Sequence, residues 1–92
     1  MKIREEIGDK KGIADCLNNI GLIYHTQGNY EEALAYYKKS LNIKKEIGNR
    51  RGIAASLSNI GVIYDYQGNY GESLAYYKKS VKIREEIGDK KG

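Results

Sequence analysis

The chain has 92 residues, 40% apolar and 30% charged, with a net charge of +4 in which Lys and Arg are interspersed with Glu and Asp. That balance suits one small water-facing domain, or a piece of an array, with little surplus core. The single Cys excludes an internal disulfide framework and permits a reducing, cytoplasmic setting, and no apolar run approaches the ~18 residues of a membrane span.

Met1-Lys2-Ile3-Arg4-Glu5-Glu6 turns acidic too early for a signal peptide. Residues 2–12 read KIREEIGDKKG, and residues 82–92 read the same eleven letters, 80 positions later. Residues 13–52 and 53–92 align without a gap and differ at fifteen of 40 positions, so a 40-residue unit is used twice. A fixed period of this size signals stacked supersecondary units, none able to bury its apolar face alone. Recent duplication, a consensus design and a fragment of a longer array all fit this likeness. The expected division is 1–12, the tail of a preceding helix and its turn, then units 13–52 and 53–92.

Each unit reads as two helices. In the first, helix A, Ile13, Ala14, Leu17, Ile20, Gly21 and Tyr24 form one stripe at helical spacing. Gly28 stops it in a left-handed conformation. Asn29 follows as N-cap, with Glu32 in the capping-box position. The second, helix B, turns Tyr30, Ala33, Leu34, Tyr37, Leu41 and Ile43 inward and closes at Gly48, after which Asn49 caps the next helix A. Gly68, Asn69, Glu72 and Gly88 repeat the punctuation. This places helices near 10–27, 30–47, 50–67 and 70–87, with residues 1–7 as the end of an earlier helix B.

Leu17, Ile20-Gly21, Tyr24, Gly28, Tyr30, Ala33, Tyr37 and Ser40 form a pattern that Leu57, Ile60-Gly61, Tyr64, Gly68, Tyr70, Ser73, Tyr77 and Ser80 repeat. It resembles the tetratricopeptide repeat (TPR), in the lengthened 40-residue type of cell-polarity adaptors and kinesin light chains. The resemblance implies an all-α fold, helix-turn-helix units stacked as a right-handed solenoid, and a protein or peptide partner. Two departures stand out: Leu17 and Leu57 occupy the place of the family's Trp, and the Pro after helix B is missing. Gly21 and Gly61 are expected to let helix B approach helix A closely beside Tyr37 and Tyr77, since a mid-helix Gly otherwise costs about 1 kcal/mol against Ala.

The two copies also separate a fixed face from a changeable one. Helix A differs at Asp15/Ala55, Cys16/Ser56, Asn18/Ser58, Leu22/Val62, His25/Asp65 and Thr26/Tyr66, and all but the Cys16 position share one stripe. In the proteins this chain resembles, that face lines a concave groove holding an extended peptide; drift on an exposed surface would give the same pattern. Asn19 and Asn59 sit beside it unchanged. The resemblance implies that such an Asn holds ligand backbone, an amide being both donor and acceptor; an amide satisfied inside the helix layer is the alternative. The cations with which some TPR proteins grip a C-terminal carboxylate are replaced by Asp15, Asn18, Ala55 and Ser58, so acidic chaperone tails are not expected ligands.

No catalytic constellation is present. Cys16 and His25 are nine residues apart, about half a turn in rotation, and face opposite ways. Cys16 reads as a small buried side chain and His25 as exposed surface. No zinc spacing, phosphate-cradling Gly loop or nucleophile elbow appears, so neither enzyme activity nor a metal or cofactor is expected. The doublets Lys10-Lys11, Arg50-Arg51, Lys90-Lys91, Lys38-Lys39 and Lys78-Lys79 read as solvated turns and helix faces rather than a nucleic-acid ridge.

Arrays normally end in a capping helix with a polar outer face, and none is evident here. Tyr77, Val81, Ile83 and Ile87 at one end, and Ile3 and Ile7 at the other, are expected to invite self-association. Copies would stack end to end, or a turn such as 47–52 would straighten and exchange elements between copies. Straightening would pair Glu6 with Lys10 and Glu46 with Arg50 in the favourable i,i+4 order. In the hairpin the same charges oppose their helix dipoles. Two readings of function therefore stand: a non-enzymatic scaffold holding a peptide or helix on the helix-A face, and a self-assembling repeat module.

Overall fold

A computed structural model describes residues 2–88, with side chains from Asp9 onward. Four α-helices follow one another: α1 (Lys2–Thr26), α2 (Tyr30–Glu46), α3 (Arg50–Tyr66) and α4 (Tyr70–Glu86). Helix α1 packs antiparallel on α2, α3 on α4, and α2 on α3 joins the two hairpins. The body measures 46 × 34 × 19 Å. It is an all-α helical-repeat stack with no strand among the described residues.

The turns follow from backbone chemistry. Gly28, Gly48, Gly68 and Gly88 adopt φ between 70° and 82°, a region that costs a side chain dearly and glycine nothing. At the first turn, Gly28 N–H donates to the His25 carbonyl and Asn29 N–H to the Tyr24 carbonyl, so the last carbonyls of α1 are satisfied. The same bonds recur at Gly48–Asn49 and Gly68–Asn69. The N-caps do not all follow the expected box. Only the Asn49 side chain caps, its Oδ1 accepting from Gly52 N–H at 3.0 Å, whereas Asn29 and Asn69 make no side-chain cap bond. A Cβ at position 52 would stand 2.6 Å from Asn49 Nδ2. Glycine there makes room for the amide, while Glu32 and Glu72 hold the matching positions with full side chains.

Within each hairpin, small residues set the helix spacing. Ser40 Oγ donates to the Ala14 carbonyl at 2.8 Å, and Ser80 Oγ to the Ala54 carbonyl at 2.9 Å. Tyr24 stacks on Tyr36, and Tyr64 on Tyr76, with ring centroids 5.6 Å apart in both pairs. The charged ends cross-compensate. Lys10 at the α1 side pairs with Glu46 at the end of α2, 3.2 Å away, and Arg50 pairs with Glu86. Glu46, Arg50 and Glu86 each oppose their own helix dipole, and the antiparallel hairpins set them against opposite charges, although Lys10 itself lies within α1 rather than at its start.

The core lies where the hairpins meet: Ala33, Tyr37 and Leu41 of α2 interlock with Leu57, Ile60 and Ile63 of α3. Ile83 packs against this core from α4. It does not share the outer face of Tyr77 and Val81, because six residues from Tyr77 is a rotation of about 240°.

The largest departure from the sequence reading is at the start. Instead of a helix tail and a turn, α1 runs unbroken from Lys2 through Gly8 and Gly12 to Thr26. The identical letters at 82–88 end α4 at Glu86 and turn at Gly88, with φ 78°. Cooperativity separates the two outcomes. Residues 82–86 are the last turn and more of a seventeen-residue helix B packed on α3. Ahead of Gly8 the same letters have no packed helix B to extend among the described residues, and a separate two-turn helix would have to nucleate afresh. Continuing α1 adds a hydrogen bond per residue, against about 1 kcal/mol for each glycine. The side chains of Ile3, Ile7 and Glu6 lie outside the described residues.

Candidate functional site

Helices α1 and α3 are the two A helices, and their shared face carries the residues that differ between repeats. Leu22, Asp15, Asn19 and Thr26 are exposed on α1, and Asp65 and Tyr66 on α3; Asn18, Ala55, Asn59 and Val62 are half-buried between them. An amide link spans the floor of this face. Asn59 Nδ2 donates to Asn18 Oδ1 at 3.2 Å. The contact lies one residue beyond the 40-residue period, so comparing equivalent positions does not reveal it. It occupies one of the donors of Asn59 and leaves the second amide hydrogen and Oδ1 of that side chain for other partners.

Three residues on this face turn to the protein itself. Ser58 Oγ lies 2.8 Å from Ser80 Oγ and so faces α4. Thr26 Oγ1 donates back to the Leu22 carbonyl at 2.9 Å. His25, read from sequence as exposed surface, is half-buried against the rings of Tyr66 and Tyr30, at 5.1 and 6.1 Å. Tyr30 and Tyr66 stack within 3° of parallel, at 5.6 Å. This ring cluster joins the C-terminal ends of α1 and α3 to the start of α2, fixing one end of this face. The recurrence of Tyr30 at Tyr70 marks it as a packing position; that its partner would be Tyr66 required the fold.

On the other side of the seam, Lys38 Nζ donates to Tyr64 Oη at 3.2 Å and lies 5.7 Å from the centre of that ring. The phenol's hydrogen bond holds the Lys38 ammonium above its ordinary pKa, against a smaller lowering by desolvation.

Cys16 is exposed rather than buried, whereas its counterpart Ser56 is fully buried. Cys16 and His25 are not brought together. Among the described residues no group of His, Cys, Asp and Glu is placed to hold a metal, and no helix is long and apolar enough to cross a membrane.

Comparison with known proteins agrees with this architecture. A 39-residue stretch is 41% identical to the human protein O-mannosyl-transferase TMTC2, and 38% identical to its mouse and Xenopus laevis counterparts. Each match covers 42% of this chain but 5% of the relative. The tetratricopeptide repeat family matches residues 1–46 and 12–86, essentially the whole described body. With its glycine-punctuated helix pairs and 40-residue period, the chain belongs to the tetratricopeptide repeat family.

Proposed function

We propose that the chain is a non-enzymatic scaffold that holds an extended peptide of another protein across the face shared by α1 and α3. The observation that carries this reading is the Asn18–Asn59 amide link. It ties the two A helices together at the groove floor and leaves Asn59 with hydrogen-bonding capacity for a peptide backbone. Asn19 lies exposed beside it, Leu22 and Val62 supply apolar contact, and Asp15 and Asp65 bias the groove towards basic or polar side chains. Two A helices make a short groove, so affinity for a linear peptide is weak. The sugar-transfer activity in the relatives' names belongs to proteins of which this match is 5%, and it is not carried over.

Selection of peptides from a displayed library on the folded chain tests the proposal. Asn19→Ala with Asn59→Ala, and separately Leu22→Lys, should each weaken selected peptides about tenfold or more, the worth of one or two hydrogen bonds or an apolar contact. Lys39→Ala, on α2 away from the groove, should leave them unchanged. Peptides that bind all of these chains equally would place the binding surface elsewhere.

A further inference from the structure

The α2–α3 seam is a template for a contact the chain has not made within itself. On α3, Leu57, Ile60 and Ile63 are covered by α2 to 5% exposure or less, and on α2, Tyr37 and Leu41 are covered by α3 to 6% or less. One period earlier, α1 carries the same letters, Leu17, Ile20 and Ile23, with Ile13 beside them; Ile13 and Ile23 are 49% and 57% exposed. One period later, α4 carries Leu74, Tyr77 and Val81; Leu74 and Val81 are 54% and 52% exposed. The two open faces are therefore the two halves of a seam that exists once among the described residues. Each is a shallow apolar depression, about 340 Å³ beside Ile13, Cys16 and Leu17, and about 560 Å³ beside Leu74, Tyr77 and Val81.

We infer that the open α1 face takes the open α4 face of a second copy, reproducing the α2–α3 seam and stacking chains head to tail. Three further features fit that occupant. The polar contact of the seam is duplicated: Lys38 and Tyr64 have their equivalents in Lys78 on α4 and Tyr24 on α1, and Tyr24 is stacked on Tyr36 as Tyr64 is on Tyr76. The unbroken α1 clears the seat. Residues 2–7 carry the same letters as 82–87. Folded back on α1 they would hold the place that the end of α4 takes in a stack; as a continuation of α1 they leave it open. Lastly, Ser56 Oγ on α3 is buried with no hydrogen-bond partner. Cys16 takes that position on the open face, and a thiol tolerates apolar burial better than an unpaired hydroxyl. The two faces differ, so the contact is heterologous and grows an open stack rather than closing a dimer.

Light scattering behind a sizing column, with Cys16 alkylation by iodoacetamide at matched concentrations, tests this. The native chain should climb in mass with concentration while alkylation slows. Ile13→Lys and Val81→Lys, both at exposed positions, should each run as one chain of 10.4 kDa with a fast-reacting thiol and unchanged helical circular dichroism. Mixed in equal amounts, Val81→Lys keeps an intact α1 face and Ile13→Lys an intact α4 face. The mixture should reach the mass of two chains and stop. If either variant unfolds, Ile23→Lys or Leu74→Lys takes its place. A native mass of one chain at every concentration overturns the inference and leaves these faces to a helix of another protein. So does a mixture that stays at one chain, or a single variant that still climbs. None of these substitutions touches the Asn18–Asn59 groove, so the peptide proposal stands or falls separately.

Discussion

A Cβ added to Gly21 would lie 2.8 Å from Tyr37 Cδ1, and a Cβ on Gly61 would lie 3.1 Å from Tyr77 Cε1. The same approach is made twice with different tolerance. The Tyr37 ring is 2% exposed and held between α1 and α3, while Tyr77 is half-exposed on the outer helix. Gly21→Ala should therefore incur overpacking of about 1–3 kcal/mol, outweighing a gain of about 1 kcal/mol in helix propensity. Gly61→Ala lets the ring yield by a few tenths of an ångström and should be close to neutral. Urea unfolding of both variants checks this; equal effects would show that the two crossings are equally rigid.

Ser56 offers a stabilising substitution. Its hydroxyl is buried without a partner, in contrast to Ser40 and Ser80, which donate to the Ala14 and Ala54 carbonyls. Ser56→Ala removes an unpaid desolvation and should raise stability by about 1 kcal/mol, while Ser40→Ala should lower it by about 1 kcal/mol. Thermal melts of the two should move in opposite directions.

Alkaline pH should destabilise the fold. Burial holds Tyr37 and Tyr77 above the ordinary phenol value of 10.0, and the Tyr64 hydrogen bond holds Lys38 above 10.5. In each case the folded chain keeps its proton to higher pH than the unfolded chain does. Their contribution is fully present below the unfolded values and is lost as pH rises through the folded ones. The melting temperature should stay level to about pH 9 and then fall. Tyr37→Phe should make the fall shallower; an unchanged slope would show that Tyr37 does not carry it.

The Lys10–Glu46 pair, 3.2 Å long with both side chains about half exposed, should contribute little. A double-mutant cycle with Lys10→Met and Glu46→Gln should give a coupling of about 0.2–1 kcal/mol, shrinking as salt is added. A coupling that ignores salt would mean that the stems, not the charges, carry the contact.

Local and periodic features were legible in the sequence. The 40-residue period set the number of helix pairs, and α2, α3 and α4 end within a residue of the expected limits because Gly48, Gly68 and Gly88 admit a left-handed backbone that other residues resist. The close approaches at Gly21 and Gly61 followed from a glycine placed mid-helix beside a recurring Tyr. What the sequence could not supply was which neighbour each repeated residue meets. Identical letters run straight through α1 at 2–12 and end α4 at 82–88, because only the second set continues a packed helix B. Equivalent positions part as well: Ser56 is fully buried, while Cys16 is exposed. The Asn18–Asn59 link, the Asn49 cap and the inward turn of Ile83 likewise depend on distances between helices. A repeat fixes the structure of each unit, but burial, pairing and helix continuity belong to the contacts between units, and only the tertiary structure holds those.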